Sequence, residues 1–203
     1  MSVTQLYLVR HGETDWNAEG RFQGQLNSNL TETGMQQARA RSEEMRAMNF
    51  AAKYCSTSDR TRQTIHGLLD GEVNSVEYRD ELREIMLGPW QGKLSKEMAL
   101  ENPEQYAHYT KAPDQFQLAG AETFRQLQNR GVNALEKIAD AHQGQQVLVV
   151  SHGAIIKASL LHWMGWPLAQ IWEKPNIPNC SCSVLEFSGE RAVRVLRIAD
   201  IEL

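Results

Sequence analysis

Two stretches decide the fold: Leu6-Tyr7-Leu8-Val9-Arg10-His11-Gly12-Glu13 and Val147-Leu148-Val149-Val150-Ser151-His152-Gly153-Ala154. Each runs an apolar segment into one polar residue and then His-Gly. A short apolar run that ends this way reads as a strand buried on both faces. In open α/β sheets, ligands collect in the crevice outside the carboxyl ends of the strands. If the two strands lie side by side, His11 and His152 open into one crevice, with Arg10 as a fixed cation beside them. Gly12 and Gly153 would let backbone approach a ligand closely. Two imidazoles and a guanidinium suit an anion with tetrahedral oxygens.

Working outward, periodicity predicts a helix over 32–48 with Thr31 as its N-cap, a strand over 53–56 and a helix over 59–69. A helix over 122–141 sets Phe124, Leu127, Gly131, Leu135 and Ile138 along one stripe. Another helix covers 154–164, and two strands fit 183–188 and 192–199, turning at Ser188-Gly189-Glu190. Strands alternating with helices predict an α/β, three-layer sandwich with a mostly parallel central sheet flanked by helices. A chain of 203 residues is expected to form one domain over 1–203. The irregular stretch 88–121, with Gly88-Pro89, Pro103, Pro113 and Gly120, reads as a cap or insertion within it.

The chain is 41% hydrophobic and carries a formal charge of −4, with 14 arginines against seven lysines. That balance argues against disorder and against a general nucleic-acid binder. Arginine suits bidentate recognition of carboxylate or phosphate, although an excess of it also follows from biased composition. Cys55, Cys180 and Cys182 make a poor disulfide framework, so a reducing, cytoplasmic setting is expected. No signal-peptide pattern is seen at the N-terminus, and no apolar run is long enough to cross a membrane.

Other chemistries lack their supports. Val149 stands where a nucleophile elbow around Ser151 needs glycine. His11-Gly12-Glu13 lacks the Pro-Cys-x-x-Cys partner of a zinc deaminase, and Cys180-Ser181-Cys182 has the wrong spacing to supply it. Neither a phosphate-loop nor a dinucleotide-binding glycine pattern is present. No cluster has metal-ligand spacing, so a site without metal or cofactor is expected.

The stretch LVRHGETDWN at 8–17, followed by RFQGQLNSNLTETGMQQA at 21–38, resembles the opening of the histidine phosphatase superfamily, in its phosphoglycerate-mutase-like branch. SDRTRQT at 58–64, DELREIMLGPWQGK at 80–93, GAETF at 120–124 and VLVVSHG at 147–153 resemble its later blocks in order. The resemblance implies His11 as the nucleophile of a phosphohistidine intermediate. Arg10 and Arg60 would then grip the phosphoryl oxygens, with His152 as a further donor. Glu84 would protonate the leaving oxygen and then deprotonate water. Asn17, Gln23 and Gly24 match positions that bind phosphate or substrate, and the Gly153 N–H is a further donor at a helix N-terminus. Arg60-Thr61-Arg62-Gln63-Thr64 fits the family block with Arg60 as the phosphate ligand. Residues two apart on a helix do not share a face, so the resemblance favours Arg60 over Arg62. Glu84 is favoured over Asp80 and Glu81 by the Leu-Arg-Glu match. The sequence departs from the family's habit at Asn27, Asn29, Leu87 and Gln91 and in the segment 55–59.

The mutases of this family carry arginines after the glutamate block. Here 93–121 holds Lys93, Lys96, His108 and Lys111 but no arginine, together with Tyr106, Tyr109 and Phe116. The expected function is therefore a metal-independent phosphomonoesterase acting on a small phosphorylated metabolite. A bisphosphoglycerate-dependent phosphoglycerate mutase and a non-catalytic phospho-ligand binder are the alternatives. Monomer and homodimer stay open.

Overall fold

The computed structural model describes residues 3–188 and 192–203. Its strands are β1 (Thr4–Arg10), β2 (Ala52–Ser56), β3 (Val76–Arg79), β4 (Gln146–Ser151), β5 (Cys182–Ser188), β6 (Ala192–Ile198) and β7 (Ile201–Glu202). Its helices are α1 (Asp15–Glu19), α2 (Glu32–Ala40), α3 (Ser42–Ala47), α4 (Asp59–Leu68), α5 (Ser95–Glu101), α6 (Pro103–Lys111), α7 (Phe124–Ala141) and α8 (Gly153–Met164). The strands form one sheet in the order β3-β2-β4-β1-β5-β6-β7. The first four are mutually parallel, whereas β5, β6 and β7 extend the sheet antiparallel. The sheet is thus mixed, and its parallel part is where the two His-Gly strands sit.

Strand periodicity sorts the core into two layers. Leu6, Leu8, Val147 and Val149 pack with Ala134, Leu135 and Ile138 of α7 and with Ile156 and Leu160 of α8. On the opposite face Val9, Leu148, Val150 and Cys55 pack with Met45 of α3 and with Ile65 and Leu68 of α4. The three-layer sandwich follows. A third apolar cluster joins the segment 88–121 to the sandwich through Phe22, Trp90, Phe116, Phe124, Ile155 and Ile171.

Three local outcomes differ from the sequence reading. The helix expected over 32–48 breaks at Arg41, whose ψ of 0 and bond to Ala38 O end α2 before α3 begins. Its guanidinium reaches Glu44 on one side and Asp200 on the other, which pins the break. Strand β3 was not foreseen because it is a short edge strand whose exposure alternates without a run of apolar residues. The segment 88–121 holds two helices, α5 and α6, rather than only irregular chain. The expected turn at Ser188-Gly189-Glu190 falls outside the described residues. Among the described residues, no helix is long and apolar enough to cross a membrane.

Candidate active site

β1 and β4 are hydrogen-bonded neighbours in a register that sets Arg10 opposite Ser151. The backbone N–H of His11 donates to Ser151 O at 3.0 Å. His11 and His152 therefore leave the sheet side by side, their ring centroids 5.2 Å apart and their planes at 63°. Both are buried. His11 borders a cavity of about 540 Å³ whose lining also includes Arg10, Asn17, Gln23, Arg60 and Glu84, whereas His152 is not part of that lining. Gly24 and Gly153 also line it.

His11 Nδ1 lies 2.7 Å from the carbonyl oxygen of Gly12. A carbonyl only accepts, so Nδ1 carries the proton and Nε2 keeps its lone pair. Burial, followed by the Arg60 and Arg10 guanidinium groups, holds this imidazole well below its ordinary ionisation range. The ring is therefore neutral and nucleophilic at physiological pH.

Arg60 lies near the start of α4 and is fully buried. Its guanidinium donates through Nη2 to Gly24 O at 2.8 Å, through Nη1 to Leu26 O at 2.8 Å and through Nε to His152 Nδ1 at 3.2 Å. Burial brings its ionisation down to about 10, which still leaves it charged near neutrality. Arg10 donates to Ile177 O at 2.7 Å, while its Nε is buried and without a partner. An orphaned charged donor inside a cavity is an unusual feature that a bound anion would satisfy. Arg62 instead bonds Thr57 O and lies over the Tyr78 ring, 3.9 Å from its centroid.

His152 differs from the expectation that it donates to a bound phosphate. Arg60 Nε only donates, so His152 Nδ1 accepts, and its proton sits on Nε2, 2.8 Å from Ser56 Oγ. Both ring nitrogens are thus engaged inside the protein, and the ring braces Arg60.

Glu84 sits in the loop after β3 with its carboxylate at the N-terminus of α8. Oε1 accepts from Ile85 N at 3.0 Å and Ile155 N at 3.1 Å, and Oε2 accepts from Ala154 N at 3.0 Å. These bonds use N–H groups that a helix leaves unpaired in its first turn. The loop is fixed from behind by Arg130 of α7. Arg130 donates to the carbonyls of Glu81, Arg83 and Glu84 and pairs with Glu122 at 2.8 Å. Asp80 bonds Thr57 instead, and Glu81 is exposed.

Asn17 Oδ1 accepts from Thr14 N at 3.2 Å and from Asn179 Nδ2 at 3.3 Å, which leaves its NH₂ end for the cavity. Gln23 is oriented the same way, since its oxygen accepts from Ser28 Oγ at 2.6 Å. Gly24 has φ +55, and a Cβ there would lie 2.3 Å from Gln91 Oε1, so both the turn and its packing demand glycine. Gly12 serves packing rather than ligand approach. Its N–H goes to Thr64 Oγ1 at 3.0 Å, and a Cβ would lie 2.5 Å from Gly34 O. Gly153 does face the cavity, close against Arg10 Nε.

The departures from the family pattern have structural partners. Gln91 Oε1 accepts from Gln25 N at 2.7 Å, Asn27 Oδ1 accepts from Asp59 N at 3.2 Å, and Asn29 accepts from Gln63 at 2.9 Å. Sequence reasoning missed Asn179, Arg130 and Glu122, which act through backbone groups and leave no spacing signature. It also passed over Lys157, which lines the cavity. A lone charge inside the apolar run Ala154–Leu161 was the available signal.

The sequence pattern of the histidine phosphatase superfamily (branch 1) matches residues 6–200. A metal-independent phosphoserine phosphatase of Arabidopsis thaliana is 39% identical over 195 residues, covering 93% of this chain and 79% of that protein. Phosphoserine phosphatase 1 of Hydrogenobacter thermophilus is 31% identical over 191 residues, covering 94% and 90%. The solved structure of Bacillus stearothermophilus YhfR superposes with a TM-score of 0.93 at 35% identity, covering 98% of each chain. The chain therefore belongs to the histidine phosphatase superfamily, branch 1.

Proposed function

We propose that His11 Nε2 attacks the phosphorus of a small phosphorylated metabolite and forms a phosphohistidine, without a metal ion. The chain is a phosphomonoesterase. The observation that carries the mechanism is the pairing of a neutral His11, its Nε2 lone pair free, with the Arg10 and Arg60 side chains in the lining of the same cavity. As the P–O bond to the leaving group breaks, Glu84 delivers its proton to that oxygen, and the alcohol departs. Water then attacks the phosphohistidine, gives its proton to Glu84, and inorganic phosphate leaves His11 neutral. Arg10 and Arg60 stabilise charge on the transferring group, the task that Mg²⁺ performs in other phosphoryl-transfer enzymes. Asn17, Gln23 and the Gly153 N–H supply further donors to phosphate or substrate, and His152 holds Arg60 in place.

We take 1–203 as one functional unit with 88–121 as its cap. Of the cap's residues from 93 on, only Tyr109 lines the cavity, so Lys93, Lys96 and Lys111 are not placed to hold a second phosphate there. This favours hydrolysis over a bisphosphate-dependent mutase. All three cysteines are free and buried, and burial pushes Cys55 and Cys182 up to about 12, which fits a reducing, cytoplasmic setting. The test is free-phosphate release from a panel of monoesters with EDTA present. Turnover that persists in EDTA, and falls by about a thousandfold in His11→Ala, is expected. Inhibition by chelation that added Zn²⁺ or Mg²⁺ reverses would overturn the metal-independent mechanism.

A further inference from the structure

Lys157 is the one charged residue in the run Ala154–Leu161 of α8, and it is 3% exposed. Its Nζ donates to the carbonyl of Pro175 at 2.8 Å. It forms no ion pair among the described residues; Glu173 acts on it only at longer range. An ammonium carries three donors, so two remain. Burying a cation with only a neutral partner is unfavourable unless an anion completes the site. Burial correspondingly lowers its ionisation.

Its position says which part of a substrate that anion belongs to. Residue 157 is about one helical turn beyond Gly153 and Ala154, and Ala154 N–H holds Glu84 Oε2. Lys157 thus lies on the leaving-group side of the cavity, beyond the proposed proton donor. At the other end of the same loop, Ile177 O anchors Arg10. Carbonyls two residues apart lie at most about 7 Å from each other, so one short molecule can reach both cations. Trp172, Tyr109 and Ile171 also line the cavity and give it an apolar wall. The nearest further cation, Arg21, is tied to Glu19 and to Gly92 O. A single ammonium balances the one charge of a carboxylate, whereas a second phosphate would bring about two.

We propose that Lys157 is a specificity-determining residue that binds a carboxylate on the substrate's leaving group, so the preferred substrates are short phosphorylated carboxylic acids. This rests on the phosphatase reading above. Phosphoserine and phosphoethanolamine differ only in that carboxylate, so the readout is the ratio of their kcat/KM values. The wild-type ratio is expected to favour phosphoserine by about tenfold to 100-fold. It should collapse toward one in Lys157→Met and be largely kept in Lys157→Arg. A wild-type ratio near one, or a ratio that Lys157→Met leaves unaltered, would overturn the proposal. So would a clear wild-type preference for ethanediol bisphosphate over phosphoserine, which would assign the subsite to a second phosphate. If Lys157→Met fails to fold, Lys157→Gln gives the same readout, and a wild-type ratio near one overturns the proposal without any variant. Release of no phosphate from either ester or from p-nitrophenyl phosphate would overturn the phosphatase reading itself, and the subsite with it.

Discussion

Arg60 combines three contacts that only a guanidinium can make together. Its planar fork spans the carbonyls of Gly24 and Leu26 while Nε reaches His152. Lysine at this position would keep a charge but lose the geometry. Arg60→Lys is expected to lower kcat/KM for a monoester by about 100-fold, measured by steady-state kinetics at matched folding. A loss below tenfold would show that charge alone suffices. Helical spacing separates the faces of Arg60 and Arg62, but which of the two enters the cavity was legible only through the family block. The role of His152 was not legible, since which nitrogen bonds to what depends on Ser56 and Arg60 arriving from β2 and α4. Lys157 was visible as an anomaly in an apolar run, yet its partner, Pro175, lies in a loop with no pattern of its own.

At the scale of elements, the contact between the His-Gly turn after β1 and helix α2 is made by two glycines. A Cβ on Gly12 would meet Gly34 O at 2.5 Å, and one on Gly34 would meet Glu13 O at 2.0 Å. Neither neighbour is a movable side chain, so the backbone itself must shift. Gly12→Ala is expected to cost about 1–3 kcal/mol and to displace His11. A lower urea midpoint, together with a disproportionate loss of kcat, would report both effects. An unchanged midpoint would show that α2 yields freely. The sequence pointed to glycine here for the right location and the wrong reason, because close approach to another element looks the same as close approach to a ligand. The parallel strands β1, β2 and β4 were legible from their apolar runs. The half-exposed β3 and the break at Arg41 were not, since each depends on partners distant in sequence.

For the whole molecule, two buried neutral histidines tie stability to pH. Burial, reinforced by Arg60, places both His11 and His152 well below the ordinary imidazole value. The unfolded chain then binds protons more readily near pH 6.5. Stability is complete above that pH and is lost as pH falls toward the folded values, by at most about 1.4 kcal/mol per pH unit for each histidine. Chemical denaturation between pH 7.5 and 5 should show this slope, and His11→Gln should roughly halve it. A flat profile would mean that the imidazoles bind protons in the fold as readily as in the unfolded chain. The same cluster has another consequence. Arg10 and Arg60 are both hydrogen-bonded to main-chain carbonyls and to no carboxylate, and Glu84 is the carboxylate that acts on both from nearby. The inorganic phosphate left at the end meets the same cations that drew in the ester. Slow departure of that product is therefore expected, so that free phosphate in the surroundings brakes the enzyme; initial rates that do not fall as phosphate is added would overturn this.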